Sequence, residues 1–279
     1  MSTEQKTTGL DRRWIFLLIF FGVAFPLVFV IGFPVEITEN TQMVYDLVES
    51  NGEGTLVLYS FDYDPASMPE LHPMAKALIR HSIEKKQRMV FTALWPMGVS
   101  MVEDIMSQLK EEYPNLVYGE DYVNLGFKAG GMVTIQAMGK NFRDVYPKDT
   151  SGIPLDELPI MNNIQNYNKF GFICSLSAGA PGIKEWVQIG HDVYKRPVTG
   201  GVTGVSAPSI LPYINEQKQL TGLLAGLKAA AEYEKLVGAP ALATAGMDAQ
   251  SVAHLIIIIF IALGNINYWR NKRQKKGDN

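Results

Sequence analysis

Residues 14–33, WIFLLIFFGVAFPLVFVIGF, contain no charged side chain. A helix rises about 1.5 Å per residue, so a run of that length spans roughly 30 Å, the thickness of a bilayer's hydrocarbon core. A second apolar run, VAHLIIIIFIALGNINYW, fills 252–269. Whatever lies between is expected to be held at both ends. Trp14 opens the first run and Tyr268 and Trp269 close the second, where aromatic rings suit the membrane interface. Lys6, Arg12 and Arg13 precede the first run, and Arg270, Lys272, Arg273, Lys275 and Lys276 follow the second. Lys and Arg beside a span favour the cytoplasmic side. The expected organisation is a cytoplasmic tail (1–13), a transmembrane helix (14–33), an extracytoplasmic domain (34–250), a second transmembrane helix (252–269) and a basic cytoplasmic tail (270–279). Both termini are then cytoplasmic in an inner-membrane protein. A cleaved signal peptide is the rival for the first run. That run is long for a signal core, and VIGFPVEIT lacks a small-x-small cleavage site, so an uncleaved anchor is expected. Pro26 is expected to kink the first helix.

Charge separates the tails from the rest. Setting aside the eight tail Lys and Arg and the tail acids Glu4, Asp11 and Asp278 leaves 17 basic and 25 acidic side chains, a net of −8. Nucleic-acid binding needs the opposite sign, because cations must displace the counterions of the phosphates. Cys174 is the single cysteine, so no intramolecular disulfide forms. The expected partners are the bilayer, further copies of the chain or other membrane subunits; no nucleic acid and no cofactor is expected.

The domain alternates apolar strands with amphipathic helices. Strands are expected at TLVLYSF (55–61), RMVFTAL (88–94), FGFICSLS (170–177) and PVTGGVTGV (197–205), with a shorter one near 122. Helices are expected at 38–50, 68–86, 98–112, from about 131, at 182–194, and over a long stretch at 215–238. The segment 239–250, rich in Ala and Gly, reads as a linker. Strands that are apolar throughout and alternate with helices mark a parallel sheet covered on both faces. The fold class is therefore α/β, a Rossmann-like, doubly wound, mainly parallel sheet between two membrane helices.

Ligands of such sheets bind outside the carboxyl ends of the strands. The residues there are Asp62 and Asp64 after the first strand, Trp95 after the second, Ser175, Ser177 and Gly179 around the 170–177 strand, and Thr203 and Ser206 after the last. They are the candidate ligand-binding residues. SLSAGAPG enters a helix with small residues but has neither the G-x-x-x-x-G-K-[ST] nor the G-x-G-x-x-G spacing. The ordinary role of Asp64 is to cap a turn before Pro65, and that of Asp62 to bond nearby backbone. His72, His81, His191 and His254 show no metal-ligand spacing, and no G-x-S-x-G elbow occurs. Gly222, Gly226 and Ala230 recur every four residues on the expected 215–238 helix, a smooth stripe suited to a neighbouring subunit or to packing within the domain.

FDYDP at 61–65 resembles the start of haloacid dehalogenase-like phosphatases, in which one carboxylate is the nucleophile and the next the acid. That resemblance implies a phosphate-ester hydrolase using Asp62, with Ser175 as the small hydroxyl. The chain departs from the pattern in that no later strand ends in the two acids that would complete a Mg²⁺ site. The order of elements also resembles a lobe of periplasmic binding proteins, which implies a small-molecule sensor or delivery domain. With no catalytic set in view, the leading expectation is a non-enzymatic subunit of a membrane assembly.

Overall fold

The computed structural model describes residues 12–277, with the side chains at 12, 271 and 273–277 left aside. The expectations for residues 1–11, including Lys6, and for 278–279 lie outside the described residues. The chain divides into two units, one running from Pro34 to Ala243 and the other formed by the segments before and after it.

The first unit is a sheet of six strands: β1 (Leu56–Asp62), β2 (Arg88–Ala93), β3 (Tyr122–Phe127), β4 (Phe170–Ser177), β5 (Val198–Val202) and β6 (Leu224–Ala225). Every pairing is parallel and the order is β3-β2-β1-β4-β5-β6, the Rossmann order. All seven residues of β1 are buried, which is why it reads as a mostly apolar run broken only by Ser60 before Asp62. One face is covered by α3 (Met68–Glu84), α4 (Gly98–Glu112) and α9 (Gly226–Leu236), with α2 (Glu39–Ser50) packed on α9. The other is covered by α5 (Met132–Lys140), α6 (Phe142–Val145) and α7 (Ile183–Trp186). Leu58, Val90, Ile173 and Val198 from the strands meet Ile135, Phe142 and Trp186 there in one core. The short helix α8 (Ala207–Ile210) follows β5. Gly201 in β5 lets Met74 of α3 approach; a Cβ would lie 2.7 Å from its sulfur.

The structure corrects several expectations. The helix at 182–194 is one turn, α7, continued as a π-type turn at Val187–His191, where Gly190 lies against Ile173 and Val198. The helix of 215–238 starts only at Gly226. Leu220, Leu223 and Leu224 are buried instead at the sheet edge, and β6 pairs with β5. Gly222 and Gly226 take φ +72° and +66°, outside the range of any right-handed helix and strained for residues other than glycine. The three-residue stripe therefore does not exist as a helix face: Gly222 packs on the backbone of Asn40 and Val44 in α2, Gly226 lies beside Gly204, and Ala230 is fully buried.

The presumed linker at 239–250 is helical from Leu242 on. The last helix, α10, runs Leu242–Gly277. Glu234 of α9 accepts the Ala241 N–H at 2.9 Å and the Ala243 N–H at 3.0 Å, capping the start of α10. On the other strand of chain, Glu232 accepts both the Thr38 N–H at 3.0 Å and the Thr38 hydroxyl at 2.7 Å, just before α2.

In the second unit, α10 contains the stretch Leu242–Arg270, 29 residues, long and apolar enough to cross a bilayer. The first helix, α1 (Arg12–Val28), stops five residues short of the expected end at 33. Its 17 residues rise about 25 Å, less than a full span. Beyond it the chain turns at Gly32, φ +72°. The N–H groups of Ile31, Gly32 and Phe33 all bond the carboxylate of Asp248 in α10, at 2.8–3.0 Å. Three backbone donors on one carboxylate make an anion nest of the chain's own, and they explain why an acid sits beside an apolar span.

Candidate functional site

The strand order reverses between β1 and β4, whose last residues, Asp62 and Ser177, are register partners. The helices that follow leave to opposite faces, α3 to one and α7 to the other. This is the crevice in which sheets of this order take ligands.

Here it is shut. Asp62 is fully buried. Its Oδ1 accepts the Leu94 N–H at 2.7 Å and its Oδ2 accepts the Ser60 hydroxyl at 2.7 Å. Burial dominates and raises its pKa to about 7, against the opposing pull of those two bonds. The Trp186 indole N–H lies close enough to favour the carboxylate without closing to a hydrogen bond. Above Asp62, the Trp95 indole N–H donates to the Pro181 carbonyl at 2.9 Å. The same ring lies against Gly179, where a Cβ would stand 3.4 Å from it. This latch joins the loop after β2 to the loop after β4. The main chain closes the rest: Ala178 N–H bonds the Asp62 carbonyl at 3.1 Å, and Ser206 hydroxyl reaches the Ala178 carbonyl at 3.4 Å.

The other expected residues fall in place around it. Ser177 is buried and accepts the Ile183 N–H at 3.1 Å, fixing the start of α7. Thr203 and Ser206 share a hydrogen bond of 2.9 Å. Ser175 is buried, and its hydroxyl has no partner among the described residues. Asp64 stands apart, half-buried, accepting from the backbone and hydroxyl of Ser67 at 3.3 and 3.4 Å as a turn acid does. Asp62, Trp95, Ser175, Ser177, Gly179, Thr203 and Ser206 are thus gathered at one end of the sheet, while Gly222, Gly226 and Ala230 belong to the β6–α9 edge.

Sequence reasoning named Ser175 but missed Ser60 and Thr92, which lie in the same polar layer beneath the latch. Ser60 is in register with both Thr92 of β2 and Ser175 of β4, so three hydroxyls cross the sheet in one row. Thr92 bonds the Tyr146 hydroxyl at 2.6 Å. The only signal in the sequence is a polar residue at the same depth in three otherwise apolar strands.

Two further networks lie on the α3 side. Tyr63 hydroxyl donates to His72 Nδ1 at 3.0 Å, and His72 Nε2 donates to Asp104 at 2.8 Å. Tyr233 hydroxyl donates to His81 Nδ1 at 2.8 Å, and His81 Nε2 donates to Glu49 at 2.9 Å. Burial lowers the pKa of both imidazoles below the usual histidine value. Lys85 and His81 hold Glu49 down at about 2. These chains tie α2, α4 and α9 to α3. Cys174 is buried, and its thiol is pushed well above the usual range. Among the described residues no group of three His, Cys, Asp or Glu is placed to hold a metal ion.

No family model, no curated protein and no solved structure matches the chain.

Proposed function

We propose that the chain is a membrane-anchored, non-enzymatic subunit of a membrane protein assembly that holds its α/β unit outside the cytoplasm. One observation carries this reading: at the switch point Asp62 lies inside, with both carboxylate oxygens engaged, and the Trp95–Pro181 bond ties the two loops across it. A phosphate-ester hydrolase would need that carboxylate free for attack. The long apolar stretch of α10 supports the anchor. The distribution of Lys and Arg supports the orientation, with α1 as the second, shorter membrane element.

The sealed roof supports the partner role. Its loops carry exposed Met97 and Val205, the last 90% accessible, and Val133 is exposed in the first turn of α5. Exposed apolar side chains over tightly packed loops suit docking by another subunit. A photoreactive residue at Val205 or Met97, activated in intact cells, is expected to give one adduct of defined mass, and the same probe at Lys218 none. Equal scattered labelling at all three sites would overturn the reading.

A further inference from the structure

Two hollows open at the opposite edge of the sheet, where the strands begin. The first mixes signs: Lys86 and Arg88 line it with Glu53, Glu112 and Asp121. The second, of about 500 Å³, is different in kind. Arg88, Lys169 and Arg196 line it together with the amides of Asn51, Asn163 and Asn168, and no Asp or Glu among the described residues lines it.

The sheet order brings these cations together. Arg88 starts β2 and is in register with Leu56 of β1, whose partner on the other side is Phe170 of β4. Neighbouring strands lie about 4.8 Å apart, so the Arg88 and Phe170 backbones stand roughly 10 Å apart across β1. Lys169 precedes Phe170. Arg196 precedes β5 and reaches over the Asn168 and Phe170 carbonyls at 3.4 Å each. Arg88 Nε reaches the Gly54 carbonyl at 3.3 Å. Arg196 Nε also reaches the Tyr194 carbonyl at 3.4 Å. These contacts are longer than a normal N–H···O bond; they engage Nε and Nη1 of Arg196 but not its Nη2, and only Nε of Arg88.

What marks the three is that they share one hollow without a carboxylate partner among the described residues: Arg143 pairs with Asp156, whereas Arg88 and Arg196 do not pair. On the α3 side, Lys76 and Arg80 pair with Glu112, Lys85 with Glu49, and Lys86 with Glu53. Among the described residues, Arg88, Lys169 and Arg196 form no ion pair. A domain with a net charge of −8 has carboxylates to supply, yet none closes on this cluster. Three like charges round one concavity are mutually unfavourable unless an anion completes them.

We propose that this hollow binds the phosphate of a small polyol phosphate, with Arg88 and Arg196 forking the phosphate oxygens, Lys169 at the rim, and the asparagine amides on the hydroxyls. Arginine forks match phosphate geometry in pairs. The volume exceeds that of a bare phosphate and lies in the range of small-ligand sites. The site is at the far edge of the sheet from the sealed crevice and is independent of it. The same chemistry is offered by a free polyol phosphate and by the glycerophosphate headgroup of an anionic lipid.

The full chain in non-ionic detergent is titrated calorimetrically with glycerol 3-phosphate and, separately, with dihexanoyl-phosphatidylglycerol, using dihexanoyl-phosphatidylcholine as the neutral control. Binding of glycerol 3-phosphate assigns a soluble ligand. Binding of the anionic lipid alone assigns a headgroup. Either affinity is expected to fall at least tenfold in Arg88→Gln and Arg196→Gln and several-fold in Lys169→Gln, and to weaken with salt. Lys169 is exposed, so its variant keeps the test valid if an arginine variant unfolds. Binding of neither probe, binding unchanged in all three variants, or equal binding of the phosphatidylcholine control would overturn the proposal.

Discussion

Asp62 makes the packing of the sealed crevice measurable. Its carboxyl is ordinary in the unfolded chain, near 3.8, and raised to about 7 in the folded one. The folded state therefore holds a proton more tightly than the unfolded state, so stability falls as pH rises between those values and is flat above them. The full difference is about 3 pKa units, roughly 4 kcal/mol at 1.36 kcal/mol per unit. Between pH 5.5 and 8 the part that remains to be lost is about 2 kcal/mol. Asp62→Asn keeps an acceptor for the Leu94 N–H and removes the titration. The difference in stability between parent and variant should therefore move by about 2 kcal/mol in the variant's favour across that range. Other titrating groups cancel in the difference, because they are common to both proteins. The assay is urea unfolding of the full chain in detergent, followed by tryptophan fluorescence at several pH values. Parallel stability curves for parent and variant would refute the burial of an unpaired acid beneath the latch.

Three other outcomes follow from the packing. Trp95→Ala removes the bond to Pro181 and the ring over Gly179, and is expected to cost about 2 kcal/mol and to speed amide exchange at 178–182; unchanged exchange there would show that the indole is no latch. Gly222→Ala meets the Asn40 carbonyl at 2.6 Å and a φ of +72°, so a loss of about 2 kcal/mol or more is expected by thermal unfolding; a neutral result would favour the helical stripe that the structure replaces. Glu234→Ala frees the N–H groups of Ala241 and Ala243, and is expected to cost about 1–2 kcal/mol and to fray the start of α10 in amide exchange.

The parts of the fold that were legible are those in which one local signal decides. β1, β2 and β4 are buried on both faces and bounded by turn residues, so a mostly apolar run marks each. α4 has the expected limits because its apolar positions keep one helical period. The edge strand β6 was hidden: TGLLAGLKAAAEYE carries small residues and leucines at helix-like spacing, and only the positive φ of Gly222 and Gly226 divides it. The start of α10 was misread because small residues suggest linkers, although alanine is the strongest helix former. Glu234 and Asp248 then fix that region through bonds to backbone that no pattern announces.

At the crevice, topology alone placed Asp62 correctly at the end of the first strand. That both its oxygens are occupied depends on how the exit of β2 folds over β1, which is a matter of register rather than of residue type. The same holds for Arg88, Lys169 and Arg196. They are far apart in the chain and meet only because β4 lies beside β1.

The most direct test of the central claim is the native mass of the protein extracted from its own membranes in mild detergent. A complex well above the 31.0 kDa of the chain, with other membrane subunits in fixed stoichiometry, is the predicted result. A lone 31.0 kDa monomer would contradict it.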